Sequence, residues 1–258
     1  MPRISRTLTV LRRQNLTPNM LRLTLGGENL EGFPEGQESG YVKLLFPKDG
    51  ETKMNSGIKG VLTGTKPRMR SYTIRSFDPQ ALELNLDFVT HGDNGPASAW
   101  AMKANEGDEI AINGPGPTKL VDHTADWFFL AGDMSALPAI SVNLEQLPSD
   151  ARGYAVLEVI EESDIVELTC PVGIDVHWII NSHPNESNSP LADKVISLAW
   201  QNGRPTIWVA GEFNAMRAMR KYFKQDRGVA KNDIYASSYW KFGATDEGNK
   251  AAKILDMG

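Results

Sequence analysis

The apolar residues of this chain change their period partway along, and that change limits the folds open to it. From Ser5 to about Asn113 they mostly alternate with polar residues in short runs separated by Gly, Pro and Asn, the pattern of strands with one buried face. Thr7–Leu11, Met20–Leu25, Tyr41–Phe46 and Leu82–Val89 are such runs. Roughly six of them at this spacing predict a small antiparallel barrel. One helix interrupts the series from Pro96 to Ala104, with Pro96 suited to the first helical position. Lys48 to Lys66, rich in Gly, Lys and Thr, reads as a surface loop.

From Trp127 onward each strand leads into a helical stretch. Trp127–Ala131 passes through Gly132-Asp133 into Ser135–Leu147, and Tyr154–Ile160 is a second strand. His177–Ile180 precedes a helical Leu191–Trp200, and Thr206–Ala210 passes through Gly211-Glu212 into Asn214–Lys224. This alternation predicts a parallel sheet covered by helices. Gly114-Pro115-Gly116-Pro117 has the composition of a boundary, giving expected domains of 1–117 and 118–258.

A length of 258 residues suits two domains of ordinary size. The formal charge of -5 gives no reason to expect nucleic acid as a partner. No segment reaches the roughly 18 uncharged apolar residues of a membrane span, so no membrane insertion and a cytoplasmic location are expected. The single cysteine, Cys170, excludes an internal disulfide and any iron–sulfur cluster held by this chain. His91, His123, His177 and His183 lack metal-ligand spacing. Redox chemistry here would need a borrowed cofactor.

Two segments suit a flavin. Arg70-Ser71-Tyr72-Thr73-Ile74-Arg75 places two cations, hydroxyls and an aromatic ring on one predicted strand, with Arg70, Tyr72 and Ile74 on one face and Ser71, Thr73 and Arg75 on the other. Arginine neutralises pyrophosphate, an aromatic ring stacks on an isoalloxazine, and a threonine hydroxyl or strand amide hydrogen-bonds a ring nitrogen. His91-Gly92-Asp93-Asn94-Gly95-Pro96-Ala97-Ser98 then runs glycines into a helix start, where amides near Gly95, Ala97 and Ser98 can receive a phosphate. An ordinary barrel strand and an ordinary capped turn are the competing readings of each segment alone.

These segments, together with Ala131-Gly132-Asp133-Met134-Ser135-Ala136-Leu137-Pro138-Ala139-Ile140, Trp208-Val209-Ala210-Gly211-Glu212 and Tyr239-Trp240-Lys241, resemble the siderophore-interacting flavoproteins over nearly the whole chain. The resemblance implies an FAD-binding barrel followed by a nucleotide-binding-like α/β domain, as in ferredoxin reductases. It also implies reduction of ferric siderophore, with release of the iron as Fe(II). By position, Arg70, Ser71, Tyr72, Thr73, Arg75 and His91 would hold the flavin, and Gly95, Ala97 and Ser98 would complete the pyrophosphate site. It makes a nicotinamide nucleotide plausible near Gly132, Asp133, Ser135, Ala136, Gly211 and Glu212, while leaving reduced ferredoxin open as the donor. Neither glycine turn is a GxGxxG fingerprint, and Asp133 and Glu212 would repel phosphates, which favours ring or ribose contacts for them. Tyr239 or Trp240 would lie at or near the terminal aromatic that covers the flavin in such folds. Lys241, Lys250 and Lys253, the last two at i,i+3 spacing, would draw in anionic chelates.

Two departures stand out. Relatives often carry an acidic residue and a histidine just before the Val-Lys-Leu strand, where this chain has Ser39-Gly40-Tyr41, and arginine where this chain has Lys241. The rival readings are an NAD(P)H-dependent flavin or ferredoxin-type reductase with another acceptor, and a siderophore-binding module without catalysis.

Overall fold

The structure is a computed structural model that describes residues 5–46, 67–90, 95–183 and 189–256. The 48–66 loop and His91 lie outside the described residues. The chain divides into two compact units, Met1–Thr118 and Lys119–Gly258.

The first unit carries strands β1 (Ser5–Thr17), β2 (Met20–Gly26), β3 (Tyr41–Phe46), β4 (Arg68–Thr73), β5 (Ser76–Asp78), β6 (Glu83–Val89) and β7 (Glu109–Gly116), with helix α1 (Pro96–Lys103). They pair antiparallel in the order β4-β3-β7-β1-β2-β6-β5. The two edge strands are consecutive in the chain, joined only through Ile74 and Arg75. The Arg75 amide donates to the Asn85 carbonyl of β6 at 3.0 Å, which brings the sheet back on itself as a barrel. Alternate residues fill the interior: Leu8 and Val10, Leu23 and Leu25, Val42 and Leu44, Leu84, Leu86 and Phe88. That alternation is the pattern legible in the sequence, and burial of one face enforces it. β1 runs on to Thr17, past the apolar pattern, because its polar second half pairs with β2.

Gly40, just before β3, is tightly packed. A Cβ there would meet the carbonyl oxygens of Gln37 at 2.7 Å and Gly116 at 2.8 Å, so no residue with a side chain fits without moving backbone.

The second unit runs β8 (Trp127–Asp133), α2 (Leu137–Glu145), β9 (Arg152–Val159), β10 (Gly173–Ile180), α3 (Pro190–Ser197), β11 (Pro205–Glu212), α4 (Phe213–Lys221), β12 (Ile234–Trp240) and α5 (Asp246–Asp256). All strand pairs are parallel, in the order β10-β9-β8-β11-β12. Trp127, Phe129 and Ala131 of β8 pack against Leu191 and Val195 of α3 and Met219 of α4. A Cβ on Gly132 would meet Ala136 and Ile140, which puts α2 against the other side of the same strand. The sheet is therefore doubly wound, and its order reverses between β8 and β11, the switch point where such sheets form ligand crevices.

Several boundaries differ from the sequence expectation. α2 begins at Leu137, not Ser135, because Ser135 is engaged in the preceding turn by the Asp133 side chain. α4 gives way after Lys221 to a π turn, Tyr222–Asp226. Tyr239 and Trp240 do not follow β12 but end it, and Lys250 and Lys253 lie on α5. That helix is held by Ser238 Oγ donating to Asn249 Oδ1 at 2.7 Å and by Arg217 and Arg220 pairing with Asp256. Among the described residues no helix is long and apolar enough to cross a membrane.

Phe88 is fully buried between Tyr72, whose ring lies 4.2 Å away, and Trp100 of α1, at 6.2 Å. Phe88→Ala is expected to destabilise the barrel by about 3–5 kcal/mol, read as an earlier urea midpoint of its unfolding transition.

Candidate functional site

In the first unit Arg70–Arg75 lies on and just past β4, and Gly95–Ser98, the described part of the second segment, leads into α1. Tyr72 of β4 and Trp100 of α1 pack on Phe88 from different elements. Tyr72 is partly buried, and desolvation raises its phenol above the ordinary range. Arg70 is half-buried, with Nη1 donating to the Met69 carbonyl at 2.9 Å. Ser71 is exposed and Thr73 half-buried opposite Tyr41 of β3. Ile74 and Arg75 lie just past β4; Ile74 is wholly buried, as the predicted face requires.

α1 starts at Gly95, a residue without a side chain to accept from the first-turn amides. Among the described residues nothing lies within 4 Å of where its Cβ would be, which leaves this helix end open on their side. Ala97 points its methyl into the barrel core, which leaves only its backbone for a ligand, and Ser98 is half-buried. Two cations, an aromatic ring and an open helix start are a chemically suitable set for a flavin dinucleotide.

In the second unit the carboxyl ends of the strands gather acidic groups. Asp133, at the end of β8 and 7% exposed, accepts from Ser135 N at 2.9 Å and Ser135 Oγ at 2.5 Å through Oδ1. Its Oδ2 accepts from Glu212 N and from Trp240 Nε1, both at 2.7 Å. Glu212 caps α4, accepting from Asn214 N at 2.5 Å and Ala215 N at 3.1 Å through Oε2, while Oε1 accepts from Phe242 N at 3.1 Å. Ala136 is wholly buried. Both oxygens of Asp133 are thus bonded within the chain.

Tyr239 and Trp240 part company. Tyr239 stacks edge-on with Trp208 at 6.4 Å, and burial, then Tyr235, raises its hydroxyl well above the ordinary range. Trp240 turns to Asp133. Lys241 lays its ammonium over the Phe213 ring at 4.9 Å, Lys250 is exposed, and Lys253 is half-buried.

One residue escaped the sequence reading. Glu158, near the end of β9, is raised to about 7, first by burial and then by the charge of Asp133, against hydrogen bonds from Asn181 and the Leu191 backbone. Its signal was a lone acid near the end of the otherwise apolar run Ala155-Val156-Leu157-Glu158-Val159.

An antiparallel barrel followed along the chain by a doubly wound parallel sheet is the fold of ferredoxin-reductase-like flavoproteins. Within that class the chain belongs to the siderophore-interacting protein family. Residues 125–243 match the family described as Siderophore-interacting protein, and residues 9–119 match its Siderophore-interacting FAD-binding domain. FAD is accordingly the cofactor of the first unit.

Among relatives, the ferric vibriobactin reductase ViuB of Vibrio cholerae is 37% identical over 248 residues, 94% of this chain and 91% of its own length. The NADPH-dependent ferric-chelate reductase of Escherichia coli is 28% identical over 243 residues, 91% of this chain and 92% of its own. Among solved structures, the siderophore-interacting protein SipS from Aeromonas hydrophila superposes with a TM-score of 0.88 at 33% identity, covering 99% of this chain and 98% of that one.

Glu158 holds its proton to higher pH folded than unfolded, where it titrates near 4.5, so its contribution to stability falls as pH rises from there to about 7. Glu158→Gln is expected to stabilise the protein by about 1–2 kcal/mol at pH 8, below the ceiling of about 1.4 kcal/mol per pKa unit because the site is partly exposed. Urea unfolding at several pH values checks it, the gain vanishing below the ordinary glutamate range.

Proposed function

We propose that the chain is a cytoplasmic FAD-dependent ferric-siderophore reductase that releases iron by reducing Fe(III) to Fe(II). The observation that carries this reading is an FAD-binding domain within a chain 37% identical, over nearly its whole length, to a ferric vibriobactin reductase. The electron donor in this reading is NAD(P)H, the nicotinamide class named for the Escherichia coli relative.

In the first unit Arg70 and Arg75 neutralise the flavin's phosphates. The backbone amides of Ala97 and Ser98 take the pyrophosphate at the helix start that Gly95 leaves open, and Tyr72 offers a ring edge beside the isoalloxazine. Ser71, Thr73 and His91 supply further polar contacts. FAD held there would supply the redox chemistry that links a two-electron donor to one-electron reduction of the ferric substrate. No side-chain acid or base is required by that exchange. Ferrous iron is the softer and less charged ion, so hard oxygen chelators hold it less tightly and let it go.

In the second unit Ser135 and Ala136 flank the donor's approach, and Tyr239 and Trp240 form the aromatic end of β12. Lys241, Lys250 and Lys253 provide positive charge for an anionic chelate. The fixed position of Lys241 over Phe213 makes Lys250 the most accessible of the three.

Anaerobic reduction followed by flavin absorbance, with NADH, NADPH and reduced ferredoxin in turn, tests the donor. Addition of a ferric catecholate siderophore should then reoxidise the protein and yield chelatable Fe(II). A reduced protein that ferric siderophore leaves reduced, while free flavin or ferredoxin reoxidises it, overturns the reading. Arg70→Ala is expected to weaken FAD retention about tenfold or more, as loss of a charge-assisted contact does. Lys250→Ala and Lys253→Ala should keep FAD and slow only the siderophore step. Equal flavin occupancy in wild type and Arg70→Ala would remove the assignment of that arginine.

A further inference from the structure

A phosphate ligand of an open α/β sheet takes amides of the turns that follow the strands, at the switch point and at helix N-termini. In this unit the Ser135 amide and those of the β11–α4 turn are already engaged, while the start of α2 has no side-chain cap. Ser135 N and Glu212 N donate to Asp133, and Asn214 N and Ala215 N donate to Glu212. We propose that the pyrophosphate positions of the second unit are filled from within: the carboxylates of Asp133 and Glu212 stand where a dinucleotide's phosphates would, and fasten the segment from Trp240 to Phe242 in their place.

Three further observations support it. The bonding capacity that those turns leave on the two carboxylates goes to the C-terminal segment, through Trp240 Nε1 on Asp133 and Phe242 N on Glu212. Gly211, the glycine over which a pyrophosphate would approach, has φ 137, and a Cβ on it would meet Asp133 Oδ2 at 2.5 Å. The carboxylate itself lies on that stretch of backbone. Glu158 adds a third acid close enough to feel both of the others. A pyrophosphate brought to this edge meets repulsion from fixed charges, in contrast to the open helix start at Gly95.

The consequence concerns how a donor is recognised, and it rests on the nicotinamide reading above in one arm of its test. The ADP half of a dinucleotide gains no phosphate contact from the β11–α4 turn or the Ser135 amide, so hydride delivery should depend on the nicotinamide end alone. The holoprotein should be reduced anaerobically by NADH, by NADPH and by reduced nicotinamide mononucleotide, which has the same ring without the ADP half. The expected second-order rate constants agree within about tenfold, and calorimetric titration with ADP and 2′,5′-ADP gives no binding at about millimolar concentration. Dinucleotides faster than the mononucleotide by well over tenfold, with competition by ADP, overturn the proposal. If no nicotinamide reduces the flavin, the donor reading falls, and the ADP titration still decides this one: absence of binding supports it and binding overturns it.

The fastening role has its own readout. Trp240→Phe removes the indole donor and leaves Asp133 in place, and Glu212→Gln keeps the cap while weakening the bond to Phe242. Amide exchange in a peptide spanning 238–245 should quicken about tenfold in either variant, with the barrel's exchange unchanged. Exchange as slow as in the wild type in both variants overturns it.

Discussion

Four donors meet on the carboxylate of Asp133, from the turn that follows it, from the end of β11 and from the indole of Trp240. A buried carboxylate is costly unless its lone pairs are satisfied, and each bond to a charged acceptor is worth more than a neutral one. This arrangement joins the ends of three strands across the switch point. It sets the start of α2, the course of Gly211 and the direction of the C-terminal aromatic together. Removing the charge would leave four donors facing one another around a small buried space.

The two units handle negative charge in opposite ways. At α1 the N-cap is Gly95, which has no side chain to accept from the first-turn amides, and an edge strand of the same barrel, β4, carries Arg70. At α4 the helix start is Glu212, whose own carboxylate satisfies the first-turn amides. Both solutions answer the same need, since every helix begins with unpaired N–H groups. The first offers no side-chain acceptor, and the second meets the need internally. A flavin reductase that holds its cofactor in the barrel can spend the second unit's helix ends on rigidity.

Much of this was legible in the sequence because burial writes a period into it. Val42, Leu44 and Phe46, like Leu84, Leu86 and Phe88, alternate because one face of each strand is in the core, and the fully buried β8 and β11 read as continuous apolar runs. The Arg70–Arg75 and Gly95–Ser98 segments suit a flavin on chemistry that is local along the chain, which is why they can be singled out from sequence. Glu158 was not, because its shift comes first from burial and then from Asp133, with Glu212 adding to it, and these lie far from it in sequence and reach it only when the parallel strands align. The start of α2 was missed for a local reason: a side chain two residues back competes for the Ser135 amide.

Tyr239 and Trp240 mark the limit most clearly. The sequence by itself determined an aromatic pair just after a predicted strand, along with the barrel and the parallel sheet. The direction of each ring was decided only by the tertiary structure. Glu212 pairs with Trp240 where regular pairing would call for Tyr239, so an irregularity in β12 aims one ring at Trp208 and the other at Asp133. Alternation along a strand is a property of neighbouring residues and can be read from them. The register between β11 and β12 depends on what the Asp133 carboxylate draws toward itself, and that partner lies on another strand.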